Sequence, residues 1–378
     1  MGNFCYPFLL GEINTAQQPF WCKMTLITLV TTEQKPRIAA LIPVYNEEPV
    51  IEATINTLLM GGFATDDIYI VDDRSTDHTA EFARATGVNV LTVENNGGKA
   101  KAQIAALEHF ELLVRYEWLV LLDGDTKIGE YFLPAMEKAI NDDSTVSLFV
   151  GQVKSARSDN IFSAARTCDY AFSHDVIKTG QSNFDVVLVA PGCASMYRAS
   201  ALAELEIDHS TLAEDMDLTI QVHRSGGKVV YISDADVYTQ DPGTLNDYHK
   251  QILRWARGFW QVAKKHKVFS FQKKQKVDIY MITIALDALF FNRIFWLLLL
   301  AWFFPKSILF VMGLDITISF VISLYAAIRD QRFDVVWKFP LYYWISYLNF
   351  FVYFRAFVEI MILNKTLLAW NKVARYTF

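Results

Sequence analysis

Two carboxylates one residue apart follow an apolar segment in the first half of the chain. Asp123 and Asp125 flank Gly124 directly after the run Trp118–Leu122. Carboxylate oxygens are ligands that suit Mg²⁺ or Mn²⁺, which proteins bind through one or two carboxylates together with substrate phosphates. The spacing therefore makes Asp123 and Asp125 candidate metal ligands, although an Asp-Gly-Asp turn also occurs on ordinary protein surfaces.

A second pair of acids and a glycine-rich turn add to this pattern. Asp72 and Asp73 end the apolar run Ile68–Val71, and the segment Asn95–Lys99 contains two glycines before a helical pattern begins. Glycine lets the backbone approach a ligand closely, and the N-terminus of a helix favours phosphate. Lys99 is therefore a candidate phosphate contact, and a plain turn followed by a helix cap is the alternative interpretation.

Two later helical patterns also carry groups that could do chemistry. Glu214 and Asp215 open one of them, where they either complement the helix dipole or supply a general base. Gln251, Arg254 and Trp255 are spaced so that they share one helical face. An amide, a guanidinium and an indole grouped in this way can stack on a sugar and counter a diphosphate. An interfacial Trp-Arg pair is the alternative.

The residues between 35 and 243 predict alternating strands and helices, the elements that would position these groups. Strands are predicted at Ile38–Val44, Ile68–Val71, Val88–Val93, Trp118–Leu122, Val146–Val150, Val186–Val189 and Val229–Ile232. Helices are predicted at Glu48–Leu59, Thr79–Ala85, Lys99–Phe110 and Glu130–Ile140. This alternation indicates an α/β fold with a mainly parallel sheet, in which ligands bind at the carboxyl ends of strands.

From residue 244 the sequence changes to amphipathic and then strongly apolar. Thr244–Ala263 carries an apolar helical stripe, and Lys264–Lys276 holds six lysines and no acid. Three following stretches are long enough to cross roughly 30 Å of hydrocarbon: Ile279–Phe304, Ile308–Ile328 and Phe339–Leu363. A basic segment before a first span predicts a cytoplasmic location for the preceding domain. A large buried helical core is the alternative interpretation.

The number of crossings is not fixed by the pattern. Three crossings would place the basic C-terminus outside, so one stretch is expected either to lie in the interface or to break into two half-spans. Arg355 and Glu359 are four residues apart within the last stretch and are predicted to pair on one helical face. Near the N-terminus, the run Phe20–Val30 is too short for a span of about 20 residues, so we expect it at an interface.

Composition excludes several classes of protein. A formal net charge of −6 argues against a general nucleic-acid binder, which would need a basic surface stripe. The four cysteines are scattered without a Cys-x-x-Cys pair, which excludes a disulfide scaffold and a zinc ribbon. Charged residues make up 20% of the 378-residue chain, below the usual share of about 25%, because the C-terminal third is so apolar.

Taken together, the motifs resemble those of family 2 glycosyltransferases, specifically the membrane-embedded processive synthases of β-linked polysaccharides. Cellulose, hyaluronan, chitin and poly-N-acetylglucosamine synthases share the same order of motifs, and the likeness to the poly-N-acetylglucosamine synthases is strongest. The resemblance covers roughly Arg37 to Phe259. It depends on six pieces: Pro43-Val44-Tyr45-Asn46-Glu47, Val71-Asp72-Asp73, Asp123-Gly124-Asp125, Pro191-Gly192-Cys193, Glu214-Asp215 and Gln251-Ile252-Leu253-Arg254-Trp255.

The resemblance implies a GT-A fold, that is, a Rossmann-like α/β domain, followed by C-terminal transmembrane helices. It also implies a UDP-sugar donor, Mg²⁺ or Mn²⁺, and inversion at the anomeric carbon. The implied catalytic residues are Asp215 and Glu214, and the implied metal ligands are Asp123 and Asp125. The implied donor-binding residues are Pro43, Tyr45, Asn46, Glu47, Asp72, Asp73, Lys99, Asp123 and Arg254. The implied acceptor-binding residues are Gln251, Trp255, Gly192 and Cys193.

Two positions depart from the family pattern. Arg74 stands where a glycine usually follows the aspartate pair, and Ala213 stands where threonine is common before Glu214-Asp215. The N-terminal spans of the family are not recognisable in residues 1–34, which raises the question of how an export channel would be completed.

The sequence predicts five segments. These are an N-terminal interfacial segment (1–34), a glycosyltransferase domain (35–243), an amphipathic interface helix with a basic segment (244–276), transmembrane helices (277–364) and a basic tail (365–378). The implied partners are a nucleotide-sugar donor, a glycan or lipid-linked acceptor, the lipid bilayer and an accessory membrane subunit, but no nucleic acid. The alternatives are a single-addition transferase acting on ceramide or a polyprenyl phosphate, and a non-catalytic membrane protein with a degenerate donor site.

Overall fold

The computed structural model describes residues 36–157, 159–208, 210–271, 273–291, 299–300, 302–304, 306 and 308–368. The described residues from Arg37 onward belong to one compact unit. The predicted N-terminal segment 1–34, with its apolar run Phe20–Val30, lies outside the described residues. So does the basic tail after residue 368.

Eight strands in the described part of the chain form one sheet, which confirms the predicted α/β fold. They are β1 (Ile38–Val44), β2 (Ile68–Asp72), β3 (Asn89–Thr92), β4 (Trp118–Leu121), β5 (Lys127–Ile128), β6 (Val146–Ser155), β7 (Ser195–Arg198) and β8 (Lys228–Thr239). Their order across the sheet is β3-β2-β1-β4-β7-β6-β8-β5. The first four in this order are parallel, as are β6 and β8, whereas β7 and β5 pair antiparallel with their neighbours. The sheet is therefore mainly parallel.

The helices follow the strands as α/β alternation requires. In the part of the chain that forms the sheet they are α1 (Ile51–Met60), α2 (Thr79–Ala85), α3 (Lys99–His109), α4 (Leu112–Arg115), α5 (Phe132–Asp142), α6 (Ile161–Tyr170), α7 (Thr179–Asn183), α8 (Ala199–Leu202) and α9 (Glu214–Arg224). Further along they are α10 (Leu245–Lys265), α11 (Lys276–Leu286), α12 (Ile308–Arg329), α13 (Asp334–Tyr342) and α14 (Ile345–Phe357). A π-helical segment, Ala171–Lys178, joins α6 to α7 without a break.

Helices cover both faces of the sheet. Along β1, Ala40 and Ile42 point into a core shared with α1 and α5, and Ala39 and Leu41 point into a second core shared with α3. Every residue of β1 is buried. A strand that is buried on both faces has a continuous apolar sequence rather than an alternating one, which explains why this segment was predicted with its exact bounds.

One predicted strand is wrong. Val186–Val189 has no regular secondary structure and pairs with no strand of the described sheet. Two of its backbone groups bond to side chains instead: the N–H of Leu188 donates to Gln181 Oε1 at 3.2 Å, and the carbonyl of Val189 accepts from Lys178 Nζ. The antiparallel neighbour of β4 is instead the short strand β7, nine residues further along the chain from Val186.

The long helix α10 agrees with the amphipathic pattern predicted at Thr244–Ala263. It begins after Thr244, whose hydroxyl accepts a hydrogen bond from the N–H of Asp247 at 3.2 Å and caps the helix. Its apolar face packs into a third core, which α10 shares with α6 and with the helices that follow residue 276. Because of this core, α10 connects the sheet domain to the C-terminal helices.

Two helical segments in the described part of the chain are long and apolar enough to cross a membrane. They are Ile308–Arg329, with mean hydropathy 2.1, and Ile345–Ile362, with mean hydropathy 1.4. The predicted stretch Phe339–Leu363 is interrupted by a turn at Tyr343 and Trp344, so its long helical segment begins at Ile345. Pro340, shortly before this turn, lacks the N–H that would continue the helical hydrogen bonds. The predicted stretch Ile279–Phe304 lies partly outside the described residues.

Ionisable groups within these helices bond to protein groups. Asp315 accepts hydrogen bonds from the hydroxyls of Tyr343 at 2.5 Å and Tyr347 at 2.8 Å. The predicted pair is present, with Arg355 Nε 3.0 Å from Glu359 Oε1. Glu359 also pairs with Arg257 of α10 at 2.7 Å, so an ion pair joins the last described helix to α10.

Candidate active site

The carboxyl ends of three neighbouring parallel strands bring the predicted acids to one edge of the sheet. β1 lies between β2 and β4, and the three strands run in the same direction. The loops that follow them therefore leave the sheet side by side. These loops carry Asn46 after β1, Asp73 after β2 and Asp123 after β4.

The loops after β1 and β2 are hydrogen-bonded to each other. The N–H of Asp73 donates to the carbonyl of Val44 at 2.8 Å, and the N–H of Asn46 donates to Ser75 Oγ at 2.9 Å. Asp72, which is buried, accepts from the N–H of Ser75 at 3.1 Å. Together these bonds fix the two loops in one arrangement.

The backbone is unusual at two positions in these loops. Asn46 has φ 53° and Arg74 has φ 61°, both in the left-handed region that favours glycine. Arg74 is the position where the sequence departs from the glycine of the family pattern. Its side chain donates to the carbonyl of Glu94 at 2.6 Å, a contact that glycine would not make.

The other residues of the motif Pro43-Val44-Tyr45-Asn46-Glu47 lie near the turn formed by Asp123, Gly124 and Asp125. Pro43 is buried in β1, and Tyr45 follows it at the start of the loop. Glu47 is buried, and its N–H donates to Thr79 Oγ1 at 2.8 Å. A Cβ added at Gly124 would lie 2.9 Å from Glu47 Cγ, so glycine is needed for Glu47 to pack against the Asp-Gly-Asp turn.

Asp73 holds the glycine-rich turn. Its two carboxylate oxygens accept from the N–H of Gly97 at 2.9 Å and of Gly98 at 2.7 Å. Gly98 has φ 83°, a conformation that glycine adopts without strain, and α3 begins at the next residue, Lys99. Asp73 therefore fixes the start of α3 and the position of Lys99.

Lys99 joins two of the acidic motifs. Its Nζ lies 2.7 Å from Asp123 Oδ1 and 3.0 Å from Glu214 Oε1. Burial alone would lower the pKa of Lys99, but the Asp123 and Glu214 carboxylates outweigh it and raise this pKa well above its usual value. Lys99 is therefore a permanent cation between residues that are 91 positions apart in the sequence.

Asp215 lies beside this ion network. Its Oδ2 accepts from the N–H of Gly192 at 3.2 Å, and its Oδ1 accepts from the N–H of Met216 at 2.8 Å. Burial and the neighbouring Glu214 carboxylate raise the pKa of Asp215. In Glu214 itself burial also raises the pKa, but the cations Lys99 and Arg254 outweigh it, so its pKa is lowered. Burial and the adjacent Glu214 carboxylate thus make Asp215 hold a proton more tightly than an ordinary aspartate does.

Cys193, predicted on the acceptor side, is buried behind this cluster. Its side chain is 7% exposed. Burial, followed by the charges of Asp123 and Asp125, raises the pKa of the Cys193 thiol. Cys193 is therefore a neutral wall residue rather than an exposed contact.

The acids after β4, Asp123 and Asp125, are the candidate metal ligands of the sequence analysis. Asp125 is buried, and Asp123 contacts Lys99 on one side. Within the described ranges, no group of three or more His, Cys, Asp or Glu side chains is placed to hold an ion. Two carboxylates fit a Mg²⁺ or Mn²⁺ ion that takes its other ligands from substrate phosphates and water, as such ions commonly do.

The three residues predicted on one face of α10 have two different sets of partners. Arg254 donates to the carbonyl of Leu212 at 3.5 Å and is close enough to lower the pKa of Glu214. Gln251 and Trp255 instead contact Arg166, at 2.8 Å from Gln251 Oε1 and 4.5 Å from the Trp255 ring centroid. Arg254 thus belongs with the acids, while Gln251 and Trp255 form a neighbouring group.

The profile of the family described as "Glycosyltransferase like family 2" matches residues 36–258, more than half of the chain. The chain belongs to glycosyltransferase family 2. All the acidic motifs and the motif on α10 lie within this match.

Two curated proteins are similar to this chain. An N-acetylglucosaminyltransferase of Rhizobium meliloti (strain 1021) is 28% identical over 246 residues, which are 60% of this chain and 57% of that protein. A poly-β-1,6-N-acetyl-D-glucosamine synthase of Staphylococcus aureus (strain COL) is 24% identical over 258 residues, which are 67% of this chain and 61% of that protein. The chain thus spans about three fifths of the length of these relatives.

A solved structure of another transferase has the same fold. A mannosyltransferase from Pyrobaculum calidifontis, in complex with GDP-Man and Mn²⁺, superposes with a TM-score of 0.59 at 18% sequence identity. The match covers 81% of this chain and 87% of that chain. The predicted GT-A-like fold of this family 2 glycosyltransferase is thus confirmed.

The sequence interpretation missed two buried cations in the helix that runs from α6 to α7. Arg166 contacts the α10 group, and Lys178 donates to the carbonyl of Val189, three residues before Gly192. Burial lowers the pKa of Lys178 to about 8. Each is an isolated cation among small or apolar residues, which is the signal that could have identified them.

A substitution at Gly192 tests whether the position of the Lys99 side chain matters for donor binding. A Cβ at this position would lie 2.6 Å from Lys99 Nζ, so Gly192→Ala is expected to push the flexible lysine tip away from Asp123. Hydrogen bonds to charged groups contribute about 1.5–3 kcal/mol, so we expect the KM for the sugar donor to rise about tenfold or more.

The matched control for this prediction is Gly180→Ala in α7. Its added Cβ would meet nothing within 4 Å, so donor KM should stay unchanged. Thermal melting should show both variants folded. An unchanged donor KM in Gly192→Ala would mean that Lys99 takes no part in donor binding.

Proposed function

We propose that this protein is an inverting, metal-dependent glycosyltransferase that moves a sugar from a UDP-sugar to a growing β-linked polysaccharide at the membrane. The observation that carries the proposal is the contact network in which Lys99 joins Asp123 to Glu214 beside the buried Asp215. The network groups three components: a cation that can bind a diphosphate, carboxylates that can bind a metal, and a carboxylate of raised pKa that can act as a general base. Single-displacement transfer needs these three components.

The donor is assigned to the edge formed by the loops after β1, β2 and β4. Asp72, with Asp73 behind it, would face the nucleoside, and Pro43, Tyr45, Asn46 and Glu47 would line the same side. Lys99 and Arg254 would counter the diphosphate charge. UDP-sugars are proposed because both curated relatives are named for N-acetylglucosamine transfer.

In the proposed reaction, Asp215 accepts the proton of an acceptor hydroxyl. The hydroxyl oxygen forms a bond to the anomeric carbon while the bond from that carbon to the diphosphate oxygen breaks, so UDP leaves with the electron pair. Attack opposite the leaving group inverts the anomeric centre. An ion held by Asp123 and Asp125 would supply positive charge to the diphosphate. The acceptor would lie on the side of Gly192, Cys193, Gln251 and Trp255.

The two long apolar helical segments, Ile308–Arg329 and Ile345–Ile362, support the proposed location at the membrane. Only 6% of the apolar part of the helix Ile308–Arg329 is buried inside the protein, which fits a helix that faces lipid. We propose that the domain spanning 35–243 lies on the cytoplasmic side, that 244–276 lies at the interface, that 277–364 crosses the bilayer and that 365–378 is a basic tail. An accessory membrane subunit would complete the path for the polymer.

The test is release of nucleoside diphosphate from detergent-purified protein with Mg²⁺ or Mn²⁺. Donors carrying N-acetylglucosamine, glucose, glucuronate and mannose are compared, and the product is sized by gel electrophoresis. We expect UDP release with one UDP-sugar and a ladder of long products. A single addition to ceramide or a polyprenyl phosphate would replace the polymer proposal with a lipid transferase. Absence of release with every donor would contradict glycosyl transfer itself.

A further inference from the structure

A buried arginine outside the sequence motifs contacts the candidate acceptor residues. Arg166 lies on α6 and is only 3% exposed, and it is flanked in the sequence by the small residues Ala164, Ala165, Thr167 and Cys168. A buried guanidinium is costly unless other groups compensate its lost hydration. The contacts of Arg166 therefore show which groups compensate the cost of burying its charge.

Most of these contacts lie on α10. Arg166 Nη2 donates to Gln251 Oε1 at 2.8 Å. The guanidinium carbon lies 4.5 Å from the Trp255 ring centroid and 5.0 Å from that of Tyr248, distances typical of cation–π contacts. Asp169, one turn away on α6, is its carboxylate partner at 3.4 Å.

The contacted residues form one stripe of α10. Tyr248, Gln251 and Trp255 follow one another at spacings of three and four, so they share a helical face. Arg254, next to Trp255, contributes its charge to Glu214 and Asp215 instead. A single guanidinium therefore fixes two turns of the helix that also carries a cation of the acid cluster.

We propose that Arg166 is a positioning residue that holds Gln251 and Trp255 in place for the acceptor sugar. This inference rests on the proposed function, because it assigns Arg166 to the acceptor side of that same site. Arg166 itself is buried beneath these side chains and acts through them. The consequence is that an Arg166 variant should affect the acceptor and spare the donor.

The geometry explains why an arginine is required. A guanidinium is planar, so it can lie over aromatic rings while an N–H in its plane donates to an amide oxygen. An ammonium is a compact point charge and cannot make all of these contacts at once. Small misplacements of groups that position a substrate cost about 100-fold in rate.

The test compares Arg166→Met and Arg166→Lys with the wild-type protein in detergent. Two rates are measured: UDP release from the donor without acceptor, and transfer to an added oligosaccharide acceptor. We expect transfer, as acceptor kcat/KM, to fall about 10- to 100-fold in both variants. Donor KM and acceptor-independent UDP release should stay within about twofold. Should Arg166→Met fail to fold, Arg166→Lys carries the comparison.

A double-mutant cycle separates positioning from general destabilisation. In a Gln251→Ala, Trp255→Ala background, Arg166→Met should cost less than about twofold, because the groups that it positions are gone. The matched control is Arg198→Met, since Arg198 covers the Trp118 ring at 4.4 Å elsewhere in the sheet. It should leave acceptor kcat/KM unchanged.

Two results would overturn the inference. One is an equal loss of acceptor-independent UDP release and of transfer in the Arg166 variants. The other is an undiminished effect of Arg166→Met in the double-alanine background. Failure of the proposed function gives a different result, since wild-type protein would then release no UDP from any donor.

Discussion

Asp215→Asn is expected to abolish most sugar transfer while leaving donor binding intact. The substitution keeps the size of the side chain and an oxygen that can accept from the N–H of Gly192, but it removes the group that takes the acceptor proton. General-base catalysis contributes roughly 10²–10⁴-fold, so we expect kcat to fall by that factor. Binding of the donor is measured by titration with UDP-sugar, and transfer by acceptor-dependent UDP release.

The matched control is Asp217→Asn, two residues along the same helix. Asp217 is also buried, but it pairs with Lys265 at 2.9 Å and His266 at 2.7 Å, away from the acid cluster. Its loss should lower the free energy of unfolding and leave the turnover of folded protein unchanged. Unchanged turnover in Asp215→Asn would remove Asp215 from the base role.

The pH dependence gives a second readout of the same residue. A base must be deprotonated to act, and burial with the Glu214 carboxylate raises the pKa of Asp215 above 3.8, its usual value. Activity should therefore be lost as the pH falls through this raised pKa, at a higher pH than for an ordinary aspartate. In Asp215→Asn the residual activity should lose this acidic limb.

The parts of the fold that were predicted correctly have local signals. The strand β1 was predicted with its exact bounds because it is an unbroken apolar run buried on both faces. The helix α10 was predicted because apolar residues recur at helical spacing within Thr244–Ala263. The acidic pairs Asp72-Asp73 and Asp123-Gly124-Asp125 were placed at strand ends because each follows an apolar run directly.

The parts that were missed depend on contacts distant in sequence. The helix from Ile161 to Asn183 contains the π-helical segment Ala171–Lys178, whose spacing departs from the 3.6-residue period. Val186–Val189 has the composition of a strand, yet Lys178 and other side chains take its hydrogen bonds. Two-residue β5 is too short to show any pattern. The role of Arg166 could not be predicted, since its partners lie about 85 residues further along the chain.

The contacts of Lys99 with Asp123 and Glu214 also explain how several carboxylates can lie close together without destabilising the fold. Asp123, Glu214 and Asp215 are brought close together, and like charges at short distance destabilise the folded state. Lys99 offsets this repulsion by contacting Asp123 and Glu214 directly. A diphosphate arriving at this edge would add further negative charge, so additional positive charge is required there. This requirement is independent of the sequence motif and favours a divalent cation.

Asp125→Asn is therefore expected to weaken metal binding and to lower turnover at ordinary metal concentrations. Asparagine keeps the shape but replaces a carboxylate by a neutral amide, a poorer ligand for Mg²⁺ or Mn²⁺. Loss of a group that only hydrogen-bonds to a metal ligand already costs about 10–100-fold in metal affinity. For the loss of a ligand itself, we expect the Mn²⁺ concentration for half-maximal activity to rise at least about tenfold. Excess Mn²⁺ should restore part of the activity, and a chelator should abolish it in both proteins.

Binding measured without turnover makes this prediction independent of the base. The electron paramagnetic resonance signal of free Mn²⁺ should fall when wild-type protein and UDP are present together, and much less with Asp125→Asn. Asp142→Asn is the matched control, because Asp142 is an exposed acid paired only with Lys138, at 2.6 Å, among the described contacts. Equal Mn²⁺ affinity in wild type and Asp125→Asn would exclude Asp125 as a ligand, because a buried carboxylate that binds the ion cannot become an amide without changing its affinity.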